Sequence, residues 1–330
     1  MGQIVLGMGS SHSPQLSTPS EYWKVYGEGD VNNRGLVDNT GTPRTFEELL
    51  EMAPASLAQE LTQEKFDQRA DANQAGIARL SDAQAAANLD ALIILGDDQE
   101  EMHLDDNRPA IMVYSGQELV NGGVKVSDST PEFRKAAAWG WFNPDGDTAH
   151  PIASDIGMHI IEYLNDQEFD VAHSNRVPAH HPTMGHAFGY VYRRIMGDTI
   201  VPTIPIMVNT YYPPNQPTLN RCYELGRQIR AAVEALPGDA RVGVIASGGL
   251  SHFVVDEEID GITMKALRKK DREALTSMPR ERLNSGTSEI RNWIAMAGAT
   301  EHLDHEWSDY VPSYRSKAGT GCGMGFGIWS

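Results

Sequence analysis

Residues 91–99 read Ala91-Leu92-Ile93-Ile94-Leu95-Gly96-Asp97-Asp98-Gln99, five apolar residues that run without alternation into a glycine, two carboxylates and an amide. A strand with one wet face alternates apolar and polar residues, whereas an unbroken Leu/Ile run ended by a turn signal is what a strand buried on both faces requires. Working outward, comparable apolar runs predict strands at Gln3–Met8, Ala110–Tyr114, Ile204–Val208 and Arg241–Ala246. Between them the spacing changes to the helical period. One or two helices are expected within Ser56–Asn88, and another over Leu219–Leu236 with Leu225, Ile229, Ala232 and Val233 on its apolar stripe. A charged surface helix is expected over Ile262–Leu275. Strands alternating with amphipathic helices define the α/β class: a central, mostly buried sheet covered by helices on both faces. No repeat, Ser/Gly tract or Pro tract divides the chain, so a single domain over residues 1–330 is expected. Two irregular stretches, Thr18–Arg44 and Gln117–Asp147, are long enough to serve as lids or partner-facing loops.

Composition narrows the function classes. With 27 Lys+Arg against 45 Asp+Glu, the formal net charge of −18 argues against a sequence-independent grip on nucleic acid or on an anionic membrane. Hydrophobic residues make up 40% and charged residues 22%, which suits a globular protein with a sizeable core. Cys222 and Cys322 stand far apart with no CxxC pairing, so neither a disulfide framework nor a thiolate zinc site is indicated. No apolar run approaches the roughly 20 residues of a membrane helix, and the N-terminus lacks the basic and apolar regions of a signal peptide. A cytoplasmic protein is the expectation.

Polar chemistry gathers where apolar strands end. Gln3–Met8 leads to Gly9-Ser10-Ser11-His12, Ala91–Leu95 to Gly96-Asp97-Asp98-Gln99, and Arg241–Ala246 to Ser247-Gly248-Gly249-Leu250-Ser251-His252. Ligand sites of open α/β sheets lie beyond the carboxyl ends of strands, so these three ends are expected to converge on one crevice. Taken singly each has an ordinary explanation: a turn histidine at His12, helix caps at Asp97 and Asp98, a packed histidine at His252. Further on, Asn284–Ala297 reads as a helix opened by capping-type residues, with Ile290, Trp293, Ile294 and Ala297 on its apolar stripe. Glu289, in its first turn, is either a glutamate favoured by the helix dipole or an inward carboxylate ligand. The glycines of Tyr314–Gly325 do not form a dinucleotide loop, because no helix can follow before Ser330. Arg315 and Lys317, set in an acidic chain, read as anchors for a substrate carboxylate or as solvated charges.

Four segments taken together carry a resemblance: Gly9-Ser10-Ser11-His12-Ser13-Pro14, Gly248-Gly249-Leu250-Ser251-His252-Phe253, Gly286-Thr287-Ser288-Glu289-Ile290-Arg291-Asn292-Trp293 and Tyr314-Arg315-Ser316-Lys317-Ala318-Gly319-Thr320-Gly321. In these the chain resembles the class III extradiol ring-cleavage dioxygenases, among them the catalytic subunit of protocatechuate 4,5-dioxygenase and the gallate and 3-O-methylgallate dioxygenases. The resemblance implies Fe(II) held on one face by two histidines and a glutamate, with open positions for a diol and O₂ and with no organic cofactor. It places His12 as the first histidine ligand, Glu289 as the glutamate and His252 as the acid-base histidine. It also places His186, within Met184-Gly185-His186-Ala187-Phe188, near the substrate, and the segment with Ser316 and Lys317 where the ring carboxylate binds. One position departs: the second histidine ligand falls on Gln99. Either the Gln99 carbonyl ligates, or Asp97, Asp98 or His103 supplies the ligand, or no catalytic metal is held. The implied activity is opening of a catechol-type, carboxylated ring with O₂; a non-redox binding homologue and a metal-dependent hydrolase are the alternatives that Gln99 leaves open. The expected partners are a small aromatic diol and O₂, with no nucleic acid or membrane. A homodimer or higher homo-oligomer is expected, the loops Thr18–Arg44 and Gln117–Asp147 forming a built-in cover.

Overall fold

The computed structural model describes residues 1–122 and 126–330 of the chain. Eleven strands are found among them: β1 (Gln3–Ser10), β2 (Ala91–Gly96), β3 (Ile111–Tyr114), β4 (Glu118–Asn121), β5 (Thr148–Pro151), β6 (Ala172–Ser174), β7 (Thr203–Val208), β8 (Arg241–Ser247), β9 (His252–Val254), β10 (His305–Tyr314) and β11 (Thr320–Trp329). The main sheet runs β10-β11-β1-β8-β2-β7-β3-β6, with β9 on β11, while β4 and β5 pair separately. Its centre, β1-β8-β2-β7, is wholly parallel, which brings four carboxyl ends to one edge. The α/β class expected from residues 91–99 is what the structure has.

Every residue of β2 is buried, and its side chains divide by the two-residue period of a strand. Ile93 and Leu95 join a core with Leu225, Ile229, Trp293 and Ile294, under the helices Leu219–Glu234 and Ile290–Ala299. Leu92 and Ile94 face the opposite way, toward Ile77 and Leu80 of the helix Gln63–Ala86 and toward Phe188. Local chemistry sets the helix ends. Thr62 and Thr218 cap Gln63–Ala86 and Leu219–Glu234 by accepting from Lys65 N and Arg221 N. The charged helix starts earlier than its pattern suggested, at Glu257 behind its Asp256 cap, and stops at Lys269, where Lys270 turns left-handed (φ 54°). Among the described residues no helix is long and apolar enough to cross a membrane.

The glycine-rich tail is sheet, a state the sequence reading did not assign to it. It forms β10 and β11, strands that alternation does not announce, and β11 is buried along its whole length. Its glycines recur at every second position and so lie on one face, where a Cβ on Gly323 would meet the Asp260 carboxylate and one on Gly325 the Leu250 side chain. The strand is apolar by lacking side chains. Of the two long irregular stretches, Thr18–Arg44 is pinned by buried Trp23, whose indole donates to Thr18 O (2.9 Å). Gln117–Asp147 carries β4 and the helix Glu132–Trp139, and its residues 123–125 lie outside the described ones.

Asp260 has a measurable consequence. Fully buried under β11, it accepts from Ser251 N (2.8 Å), Ser251 Oγ (2.6 Å) and the Tyr310 hydroxyl (2.7 Å). Burial outweighs those three donors and pushes the carboxyl up to about 7. Since the unfolded chain titrates near 3.8, the folded state binds this proton more tightly, and the stability that results is complete below that value and fades as pH rises through about 7. Asp260→Asn is therefore expected to flatten the fall in urea stability between pH 4 and pH 8, by on the order of 3–4 kcal/mol at most. Equal slopes for variant and parent would contradict this.

Candidate active site

The parallel strand ends converge as the sequence predicted. His12 follows β1, Asp97 and Gln99 follow β2, Tyr211 follows β7, and the turn after β8 leads to His252. Gly248 and Gly249 make that turn with φ of 129° and 65°, values that L side chains resist, and Gly249 thereby donates its N–H to Glu289 Oε2 (2.7 Å). Glu289 ends the short turn Ser285–Glu289 ahead of the helix Ile290–Ala299, and His186 opens the helix His186–Tyr190. His12, Asp97, His186 and Glu289 are all buried.

The polar atoms of this cluster lie within a few ångströms of one another. His12 Nε2 is 3.1 Å from His186 Nε2, 3.4 Å from Glu289 Oε2 and 3.8 Å from Asp97 Oδ1. His252 Nε2 lies 3.1 Å from Glu289 Oε1 and 3.3 Å from the Tyr211 hydroxyl.

Hydrogen bonds behind the rings fix their tautomers. The Ser247 hydroxyl donates to Ala187 O (2.7 Å), so it accepts from His12 Nδ1–H (3.0 Å). His186 Nδ1–H donates to Glu101 (2.6 Å), and His252 Nδ1–H donates to Leu250 O (3.0 Å). Each of the three imidazoles is thus anchored through Nδ1 and turns Nε2 inward, the orientation that metal-binding and proton-accepting histidines need.

Charge is distributed unevenly. Burial, against the attraction of Glu289, lowers His12 to about 3. Burial works against charge on His252 and His186 too, but Glu289 raises His252 well above the usual imidazole range, and Glu101 takes His186 to about 10. Burial would raise Glu289, yet His252 and His12 bring it down to about 2, while burial and the neighbouring Glu289 push Asp97 well above the carboxylate range. Among the described residues Asp97 Oδ1 has no hydrogen-bond partner although it is fully buried. An orphaned acceptor facing two inward nitrogens fits a cation, and His12, Asp97 and His186 do present donor atoms within 4.8 Å of one another.

Gln99 sits differently from the ligand role considered for it. Its amide nitrogen donates to Glu289 Oε1 (3.2 Å) and Asp97 Oδ2 (3.4 Å) and stands 3.4 Å from His186 Nε2, so the amide end faces the cluster with its nitrogen and ties the two carboxylates together. Asp98 caps no helix and instead accepts from Met102 N and His103 N of the loop that follows, and His103 does not line the chamber. The chamber, of about 80 Å³, is walled by His12, Gln99, Trp141, His186, His252 and Phe253, with Arg315 at its mouth.

The tail residues considered as an anion anchor have partners of their own. Arg315 forks onto Asp30 with two 2.8 Å bonds, so its charge is met within the protein. Ser316 is buried and bonded to Thr320 and Ala318 N, and Lys317 points to solvent away from the chamber. Tyr211, Glu101 and Trp141 belong to the site without having been singled out. Only Tyr211 had a signal, as it follows the predicted strand Ile204–Val208 by the same strand-end rule.

Fold and site together define a class: an α/β protein with a buried, metal-capable cluster of three histidines and two carboxylates at parallel strand ends. Residues 62–325 match the family described as the catalytic LigB subunit of aromatic ring-opening dioxygenase, and the chain belongs to that family. It is 28% identical over 150 residues (44% of this chain, 43% of the relative) to the 2,3-dihydroxyphenylpropionate/2,3-dihydroxicinnamic acid 1,2-dioxygenase of Comamonas testosteroni. It is 33% identical over 104 residues (31% of this chain, 29% of the relative) to the gallate dioxygenase of Pseudomonas putida. The chain thus spans less than half the length of either relative. The resemblance carried by the four sequence segments is borne out at the level of the family.

Proposed function

We propose that this protein is an Fe(II)-dependent extradiol dioxygenase that opens the ring of an aromatic diol and incorporates both atoms of O₂. The observation that carries this reading is the set of imidazoles His12, His186 and His252 that line one chamber, with His12 Nε2 3.1 Å from His186 Nε2 and the Glu289 carboxylate behind them, 3.4 Å from His12 Nε2 and 3.1 Å from His252 Nε2. His12, His186 and Glu289 would hold the iron as a set of two imidazoles and one carboxylate, with Asp97 beside them. His186 then takes the part of the missing second histidine, and Gln99 keeps the carboxylates in place. Bound there, Fe(II) supplies open positions where a diol and O₂ meet and electrons pass between them.

The protein's own groups do the rest. His252, held through Nδ1–H by Leu250 O, would offer Nε2 as the acceptor of a diol proton once the Glu289 charge that otherwise keeps that nitrogen protonated is taken up by the iron, and would return that proton as the ring opens. The Tyr211 hydroxyl, 3.3 Å from that nitrogen, steadies its position. Trp141, with its ring centroid 5.0 Å from that of His186, and Phe253 make walls that limit water in the chamber. With Arg315 engaged by Asp30 and Lys317 in solvent, the reading rests on the diol ring and not on a ring carboxylate. A homo-oligomer in a cytoplasmic setting completes it.

The test is oxygen uptake by anaerobically Fe(II)-loaded protein over a panel of catechols, with product mass after ¹⁸O₂. One O₂ consumed per diol, both labelled atoms in the product, and a loss of about 10²–10⁴-fold in His252→Ala are expected. No uptake with any diol by iron-loaded protein would overturn the reading.

A further inference from the structure

The inner chamber does not end at its mouth. Tyr26, Trp141, Phe253 and Arg315 line it on one side and, on the other, a second cavity of about 550 Å³. This outer cavity lies between two segments, the chain around the helix Trp23–Glu28 and the helix Glu132–Trp139 with the residues that follow it, of which the chemistry above uses only Trp141. The two segments meet through aromatic rings. Phe133 stacks on Tyr22 with centroids 5.4 Å apart and meets Tyr26 edge-on at 6.3 Å. Trp141, Phe142 and Phe253 continue the aromatic wall inward to the shared mouth.

Size and lining constrain what binds. An apolar cavity of about 150 Å³ accommodates one benzene ring, so an inner chamber of about 80 Å³ cannot enclose more than one ring, and any group attached to that ring must extend into the adjoining cavity. The outer cavity is of the size that ligand pockets have. Left to water, its aromatic faces would stay hydrated at the point where a bound diol ring ends; a flat apolar group attached to that ring would cover them, with the offset and edge-on contacts that aromatic pairs prefer. Asp30 neutralises Arg315 at the shared wall, and Arg134, the other cation lining the outer cavity, lies over the Phe133 ring at 5.9 Å, where it adds a cation–π face for an aromatic group.

We infer that the substrate is a two-ring diol: an aryl-substituted catechol whose diol ring occupies the inner chamber and whose second ring lies in the aromatic vestibule under Phe133 and Tyr26. This inference rests on the dioxygenase reading for the inner ring and adds the substituent. Phe133 and Ala137, which line the vestibule and not the chamber, are its specificity residues.

The experiment compares 4-phenylcatechol with catechol on Fe(II)-loaded protein and measures 4-phenylcatechol binding to the iron-free protein by calorimetry. A kcat/KM at least tenfold higher for 4-phenylcatechol is expected, most of it in KM. Phe133→Ala, which removes the wall, and Ala137→Phe, which fills the space, should each lower that preference and the calorimetric affinity at least fivefold; the first stands in if the second fails to fold. Turnover of catechol with no preference for the second ring, or a preference that both variants leave intact, overturns the inference while the dioxygenase reading survives. If neither diol consumes O₂, that reading fails, and calorimetry decides alone: affinity lost in the variants supports the vestibule as an aryl site, and unchanged or absent affinity overturns it.

Discussion

Glu289→Gln is expected to lower Fe(II) affinity by at least 10²-fold and kcat by at least 10³-fold. The carboxylate is wholly buried and engaged on both oxygens. Oε2 accepts from Gly249 N–H and faces His12 Nε2 at 3.4 Å; Oε1 meets His252 Nε2 at 3.1 Å and the Gln99 amide at 3.2 Å. An amide keeps the shape and loses the charge, and one end of it becomes a donor. Whichever way it turns, its NH₂ opposes either the Gly249 N–H or the Gln99 NH₂, leaving buried donors unpaired. The histidines also lose the anion that faces them, so the metal site and the acid-base group fail together. Asp97→Asn should be milder, within about tenfold in affinity, since Asp97 Oδ1 accepts no hydrogen bond that would be broken. Equilibrium dialysis against a competing chelator reads both constants without turnover. Iron retained by Glu289→Gln and lost by Asp97→Asn would assign the carboxylate ligand to Asp97 instead.

What the sequence disclosed, and what it hid, follows from how far apart the interacting residues lie. The strand ends at His12, Asp97 and His252 were legible because buried parallel strands write themselves as local apolar runs, and because ligand sites sit where such runs stop. Glu289 could be read because a helix stripe fixes which side of the first turn is buried. The tail could not. Strand β11 is buried by the absence of side chains at Gly321, Gly323, Gly325 and Gly327, a pattern that looks like a loop until Asp260 and Leu250 are known to press against it. The pairing of Arg315 was hidden for the same reason: its partner Asp30 lies 285 residues earlier and carries no local sign of it. The case of Glu101 is subtler. Its sequence neighbourhood is an acidic loop, and only the fold shows that this carboxylate reaches the imidazole of His186.

His186→Ala, by contrast with Gln99→Ala, decides where the second imidazole of the metal site comes from. The family resemblance pointed to Gln99, which occupies the strand-end position where that resemblance expects a histidine. The geometry favours His186: its Nδ1–H is held by Glu101 at 2.6 Å and its Nε2 lies 3.1 Å from His12 Nε2, whereas Gln99 spends its amide nitrogen on Glu289 and Asp97. Removing a ligand imidazole takes away a metal bond; removing Gln99 takes away hydrogen bonds that orient the carboxylates, an effect typically worth 10- to 100-fold in metal affinity. His186→Ala is therefore expected to bind Fe(II) at least 10²-fold more weakly than the parent protein, and Gln99→Ala about tenfold more weakly. Glu101→Gln should fall between them, because the amide still accepts from Nδ1–H but no longer strengthens the imidazole as a donor. Co(II) substituted for Fe(II) gives a second readout, since its visible absorption reports a change of nitrogen ligand apart from turnover. A Gln99→Ala protein that releases the metal while His186→Ala keeps both its affinity and its Co(II) spectrum would return the ligand role to the glutamine carbonyl and leave His186 as a group that only faces the substrate.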